Sequence, residues 1–244
     1  MSYRNPGRII YQGPSMSEPD RDIFVALSPN STNTKTGPMI QSWIMPDDMG
    51  IWDARRDGLD GSVCSGCTLR PSIARERRKL DPKAVECYVM TRTLAAVERA
   101  RKARSYRILD PSKASKWMRG RSVRLGAFGN PSAVPIKVWD GLTAGRRWTG
   151  YDHDWRQSDP AYARYCMASV ENANQRDEAK SRGYRTYRTR AKGAPLLAGE
   201  IDCPHESKQV TCHDCGLCDG TKRGQHSSAV VDISIEASTK IRSK

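Results

Sequence analysis

The stretch Cys203-Pro-His-Glu-Ser-Lys-Gln-Val-Thr-Cys212-His-Asp-Cys215-Gly-Leu-Cys218 constrains this chain more than any other. It gathers four of the eight cysteines into sixteen residues. Three of them, Cys212, Cys215 and Cys218, follow one another at C-x2-C-x2-C spacing. That spacing turns three thiolates toward one compact centre, as in the loops that hold iron–sulfur clusters, where a distant fourth cysteine completes the set. Cys203, with its Cys-Pro step, is the natural fourth. Zinc is the alternative, although zinc sites more often pair two C-x2-C knuckles than overlap three. Buried or disulfide-bonded cysteines would not demand this spacing. The expectation is a 4Fe-4S cluster, with zinc as the other candidate. His205 and His213 lie inside the same stretch and could each replace a thiolate.

A second group consists of Cys64-Ser-Gly-Cys67 and, after nineteen intervening residues, Cys87. Cys64 and Cys67 form a C-x2-C chelate. Two arrangements are open for the three thiolates. They can hold a cluster with one iron position left for a small molecule, or a cysteine of the distal group can complete them. The chain would then carry one cluster or two. Cys166 begins an apolar strand and reads as a small buried hydrophobe.

Composition bounds the rest. At 244 residues the chain suffices for one large domain or two small ones. Only two residues are Phe, so the core leans on Val, Ile, Leu, Ala and six Trp. No window carries the 18 or more apolar residues of a membrane span. Met1 is not followed by a charged-then-apolar leader pattern, so secretion is not expected. Cysteines of an unsecreted protein read as metal ligands rather than disulfides, and the expected compartment is a reducing cytoplasm. The formal charge of +14 is compatible with non-specific, electrostatic binding of nucleic acid, or with a host protein as partner. Basic residues are densest over 70–79, 99–107 and 113–124.

Residues 1–20, polar and rich in Pro and Gly, read as a flexible arm. Residues 21–237 read as one α/β domain that includes the 203–218 loop, and 238–244 as a basic tail. Strands are expected at 23–27 and 39–45. The loop between them surrounds Lys35 with hydroxyls and amides, a composition that suits an anion. A loop rich in Asp and Gly follows up to Ser62, then helices over 71–79 and 82–104. From Ser122 strands and helices alternate. Strands are expected at 122–128, 147–151, 166–170, 184–189 and 229–235, and helices at 134–142, 160–165 and 173–182. Such alternation indicates βα units and a parallel sheet. Six to seven strands fit an incomplete or irregular (β/α) barrel with mostly parallel strands. In such folds the chemistry collects at the strand carboxyl ends. Asn130, Asp152, His153 and Asn172 are the candidate catalytic residues there, with His153 a possible acid or base. Glu171 and Arg190 are their neighbours. Both cysteine groups follow strands, so both are expected to face one mouth. No Walker loop, Gly-x-Ser-x-Gly elbow or His-Glu-x-x-His is present, which leaves ATPase, serine hydrolase and zincin chemistry without support.

Two resemblances follow from these residues. Strand, clustered cysteines, helix, then a strand ending in Gly129-Asn130-Pro131 is similar to the order in radical SAM enzymes. It implies that Gly129 and Asn130 meet the amino group of S-adenosylmethionine. The C-x3-C-x2-C of that superfamily is absent, and Asn130 stands where Glu is usual. The chain also resembles a phage-encoded family of unknown function labelled gene-product-88-like. The shared segments are Asn33-x-Lys35-Thr36-Gly37, Cys87-Tyr88, Val123-Arg124-Leu125, Ala168-Ser169-Val170 and Cys212-x2-Cys215-Gly-Leu-Cys218, spread over residues 25–237. This second resemblance implies a phage origin, hence the cytoplasm of a host cell, and brings no activity.

Overall fold

The structure, a computed structural model, describes residues 7–29, 33–82, 86–87, 89, 91–221 and 232–236, with residues 91 and 232–236 described by their backbone. Three strands open the chain as an antiparallel meander: β1 (Arg8–Pro14), β2 (Asp22–Ser28) and β3 (Ile40–Pro46). Every residue of β3 is buried, as expected of a strand covered on both faces. The sheet then turns parallel. β5 (Val123–Phe128), β6 (Trp148–Asp152), β7 (Met167–Val170) and β8 (Thr186–Arg190) lie side by side in chain order. β10 (Asp232–Glu236) follows β8, with β9 (Glu200–Asp202) outside it, and β4 (Arg107–Ile108) flanks β1 at the other edge. Seven of the nine strand pairs are parallel. The architecture is therefore mixed α/β with a mostly parallel sheet. Its edges, β4 and β9, do not pair with one another among the described residues, so no closed barrel is seen.

The crossovers are α6 (Ile136–Thr143) between β5 and β6, a 3-10 turn (Pro160–Arg164) between β6 and β7, and α7 (Ala173–Ser181) between β7 and β8. Because β3, β5, β6, β7, β8 and β10 all run the same way, their carboxyl ends share one edge of the sheet. The main core joins β1, β2, β3 and β5 to α6 through Ile9, Leu27, Ile44, Leu125 and Trp139. Trp139 has no exposed surface, and its indole N–H donates to Pro131 O at 2.9 Å. A smaller cluster of Trp155, Ala168, Val170, Ala179 and Tyr184 lies under α7. No helix among the described residues is long and apolar enough to cross a membrane.

Several expectations need correction. The arm over 1–20 contains β1, whose Ile9 and Ile10 are buried and which pairs with β2 from Arg8↔Leu27 to Pro14↔Asp22. Its apolar run is short but sits beside a strand able to pair with it. The loop before Ser62 holds α1 (Ile51–Asp57) and the start of α2 (Gly61–Cys64). Helix α3 (Pro71–Leu80) lies where expected, but the next helix, α4 (Thr91–Lys102), begins nine residues later than Pro82, and α5 (Pro111–Trp117) follows it. Residues 1–6 of the arm and the tail at 238–244 lie outside the described residues.

Gly129 shows how tightly the end of β5 is seated. Its φ is +80°, and a Cβ there would lie 2.6 Å from Ile44 Cβ and 3.0 Å from Val63 O. Backbone strain and overpacking both oppose a side chain at this position. Gly129→Ala is expected to lower stability by at least about 2 kcal/mol in urea unfolding, with an unchanged slope. A loss below about 0.5 kcal/mol would show that β3 and α2 can move aside.

Candidate metal centre

The distal cysteines are set by three short turns. Cys203 caps α8 (Pro204–Lys208), and α9 (Cys212–Cys215) starts at Thr211, whose hydroxyl accepts from Asp214 N. Gly216, at φ +60°, ends α9 and turns the chain back into Cys218. A Cβ on Gly216 would lie 2.5 Å from Arg147 Nη2. Cys203, Cys212, Cys215 and Cys218 all line one cavity of ≈ 10 Å³, together with Tyr151 and His205. That is about the room a single water occupies. No cysteine of the chain is in a disulfide. Burial pushes the Cys218 thiol up to about 12; the Tyr151 hydroxyl, hydrogen-bonded to it, opposes this, and the other three thiols add to it. Burial also raises Cys212, against the pull of Arg124 and Lys35. His213 Nδ1 is engaged by Ser122 Oγ at 2.6 Å, and His205 Nδ1 by Val210 O at 3.2 Å.

Lys35 belongs to this centre rather than to an open anion site. Its carbonyl accepts from Cys212 N at 2.8 Å, and its ammonium pairs with Glu206 at 3.0 Å. Gly37, at φ +62°, lies where a Cβ would be 3.0 Å from Thr211. The segment 33–37 is therefore the clamp on which α9 rests.

The distal segment runs along β6, with Gly150 N donating to Cys218 O at 2.9 Å and Thr149 and Tyr151 lining its cavity. It meets Ser122 before β5, Arg147 before β6 and Arg185 before β8, through His213, Asp214 O and Gly220 O respectively. The Cys64–Cys67 turn lies at the carboxyl ends of the parallel strands. Asn130 N donates to Val63 O at 2.6 Å, and Gly66 N donates to the Asp154 carboxylate. Thr149 and Tyr151 of β6 face the distal cavity, and Asp154, just past the carboxyl end of β6, meets Gly66. The loop after β9 folds back along the sheet, a path that loop position in the sequence did not reveal.

Cys64, Cys67 and Cys87 lie on neighbouring turns of the chain. Cys67 N donates to Cys64 O at 3.1 Å, and Cys87 N to Leu69 O at 2.9 Å. All three thiols are raised by burial first, and Cys64 also by the nearness of Asp60, Cys67 and Cys87. Glu171, beyond β7, is close enough to raise Cys67 as well. A cleft of ≈ 410 Å³ adjoins this turn, walled by Glu18, Ser65, Gly66, Asp154, Ser158 and Tyr162. Among the described residues, no three His, Cys, Asp or Glu side chains are gathered closely enough to hold one metal ion as they stand.

The strand-end residues form a different constellation from the one expected. Asp152 has no exposed surface. Its Oδ1 accepts from Asn130 Nδ2 (2.9 Å), Ser132 Oγ (3.1 Å) and Asp154 N (2.8 Å), and its Oδ2 from Ser158 Oγ (2.7 Å) and Tyr184 OH (3.1 Å). Asn130, also buried, accepts from His153 N through Oδ1. Asn130 and Asp152 therefore hold the strand ends together and present no unused group to a substrate. Gly129 is packed on Ile44 and Val63, not turned to a cofactor. Asn172 caps α7, accepting from Gln175 N at 3.0 Å. Of the four candidates, Asn130 and Asp152 are buried and His153 and Asn172 are exposed. Desolvation lowers the His153 pKa, opposed by Asp152. Cys166 is a fully buried core residue, as expected.

Sequence reasoning missed Asp60, Arg55, Arg70, Tyr151 and Arg124. Tyr151 was within reach, because Thr149, Tyr151 and His153 share one face of β6 by strand alternation. Asp60 stands four residues before Cys64, on the same side of a helical turn. No protein-family model, curated protein or solved structure matches the chain.

Removing the Asp152 carboxylate leaves five buried donors without their acceptor. Asp152→Ala is expected to cost about 3 kcal/mol or more in denaturant unfolding, and Asp152→Asn clearly less, since the hydroxyl donors can turn and accept. An Ala variant within about 1 kcal/mol of wild type would show that the network does not carry the strand ends.

Proposed function

We propose that this protein is a thiolate-ligated metalloprotein of the iron–sulfur kind. Its distal centre is held by Cys203, Cys212, Cys215 and Cys218, and a second centre by Cys64, Cys67 and Cys87. The observation that carries the reading is that the four distal cysteines line one cavity with none spent on a disulfide. The C-x2-C-x2-C spacing supports a 4Fe-4S cluster there. The small cavity, ≈ 10 Å³, favours a single zinc ion as the second reading. Either group would supply a cation that makes four crowded thiolates favourable. The chain-ordered parallel run from β3 to β8 supports the incomplete (β/α) barrel as its frame.

The reading stops short of S-adenosylmethionine chemistry, because Gly129 and Asn130 are committed to packing and to the Asp152 network. Nor does it rest on the basic charge. Arg185, Arg188 and Arg190 are buried and paired with Asp219, Glu200 and Asp202. These three pairs are neutral, so the net charge of +14 rests on other basic residues.

Anaerobic purification with iron, sulfide and zinc counts tests this. Two 4Fe-4S clusters would give about eight irons and eight sulfides per chain. A colourless protein with zinc would select the second reading. Cys215→Ala is expected to lower metal content and melting temperature together, whereas Cys166→Ala leaves metal content unchanged. Wild type without metal, or a Cys215→Ala variant with full occupancy and unchanged melting, would defeat the proposal.

A further inference from the structure

Asp60 is a buried carboxylate with one oxygen unaccounted for. Its side chain is 1% exposed, and its Oδ1 accepts from Arg70 Nε at 2.9 Å. Its Oδ2 is buried and has no hydrogen-bond partner among the described residues. An ionised oxygen left unpaired away from water is expensive unless a cation meets it. The Arg70 guanidinium is fully engaged elsewhere, since Nη1 donates to Ser65 O at 3.1 Å and Nη2 to Gly58 O at 2.8 Å.

The backbone places Asp60 on the turn that carries Cys64, next to the windings that carry Cys67 and Cys87. Val63 N and Cys64 N both donate to Asp60 O, at 3.3 and 2.9 Å, so Asp60 and Cys64 begin and end one helical turn. Side chains four residues apart on such a turn lie on the same side. The winding continues, with Cys67 N on Cys64 O and Arg70 N on Cys67 O, and Cys87 N joins at Leu69 O. Asp60 is near enough to each of Cys64, Cys67 and Cys87 to raise its pKa. A second buried polar atom without a partner among the described residues, Arg55 Nη1, belongs to a guanidinium that acts on Cys87 with the opposite sign.

We propose that Asp60 Oδ2 is the fourth protein ligand of a Cys3Asp metal site completed by Cys64, Cys67 and Cys87. The inference rests on the reading above, that these cysteines bind metal. Three thiolates and one carboxylate bring four negative charges. A divalent ion offsets two of them, and Arg70 and Arg55 stand where they offset the rest. A carboxylate beside thiolates suits zinc or ferrous iron, both of which accept mixed oxygen and sulfur donors. The donors are not gathered around one point as they stand, so side-chain rotation within the turn has to close the site. With four protein ligands the site retains its metal and offers no iron position to a small molecule, unlike the open three-cysteine arrangement expected from sequence.

The test is cobalt(II) titration of the reduced full-length chain, followed by thiolate-to-cobalt charge-transfer absorption, with circular dichroism as a check on folding. Wild type is expected to show two classes of site. Asp60→Ala should weaken one class by about tenfold or more. Asp60→Cys should restore it, with a stronger band per cobalt because a fourth thiolate replaces the carboxylate. If Asp60→Ala does not fold, Asp60→Cys decides alone: a stronger band supports the assignment, and an unchanged band at unchanged affinity overturns it. Asp60→Ala with both classes unaltered overturns it too. A single class, abolished by Cys215→Ala, would sink this inference and leave the distal centre standing. No cobalt bound by wild type would sink both readings together.

Discussion

At the carboxyl end of β6 the Asp152 carboxylate, with no surface in water, is met by five neutral donors. A bare carboxylate moved out of water costs many kcal/mol, and each hydrogen bond to a charged group returns about 1.5–3. The burial is tolerable only while the donors stay in place, which makes the network a constraint on everything attached to it. Asn130 and Ser132 come from the end of β5, Ser158 from the loop after β6, and Tyr184 from the approach to β8. Asn130 N also holds Val63 O, which fixes α2 and hence the turn that carries Cys64 and Cys67. The proximal cysteines thus owe their position to a polar staple rather than to apolar packing alone.

The two cysteine groups have different charged neighbours. Burial raises the Cys212 thiol, Arg124 and Lys35 oppose it, and Arg147 donates to Asp214 O beside it. The Arg124 guanidinium lies 5.8 Å over the Tyr151 ring, and its buried Nε has no hydrogen-bond partner among the described residues. At the carboxyl ends of the parallel strands, Asp60 and Glu171 stand near the thiols, with Arg70 and Arg55 as the opposing cations.

Where local pattern decides structure, the sequence was informative. β2, β3, β5, β6, β7 and α7 fall within a residue or two of the expected spans, because each has its own periodicity and its own stop, such as Gly183 after α7. β1, β4 and β9 were missed because two or three residues, or a run with only two buried isoleucines, become strand only when a neighbour offers an edge. The cysteine sets were legible from spacing. Their placement in the fold was not, since the path of the 203–218 loop is fixed by partners far away in sequence, among them Ser122, Lys35 and Arg185. Asn130 and Asp152 looked catalytic because polar residues at strand ends usually face a mouth. Hydrogen bonding to each other turned them inward.

The distal segment shows why ligation matters to the fold itself. α8 and α9 are five and four residues long and contain no buried residue. Helices that short have no stability of their own in water. The apolar anchorage is one small cluster, in which Cys203, Cys218 and Leu217 meet Met167, Tyr151 and Tyr187. Beyond it the segment holds by hydrogen bonds, Cys212 N to Lys35 O and Gly150 N to Cys218 O, and by the exposed Lys35–Glu206 pair, which contributes at most about 1 kcal/mol. Two of the six partners in that apolar cluster are themselves proposed ligands. Filling the cavity with a bound cation would therefore add its binding free energy directly to the folding of residues 203–218, and through β9 and Cys203 to the far edge of the sheet.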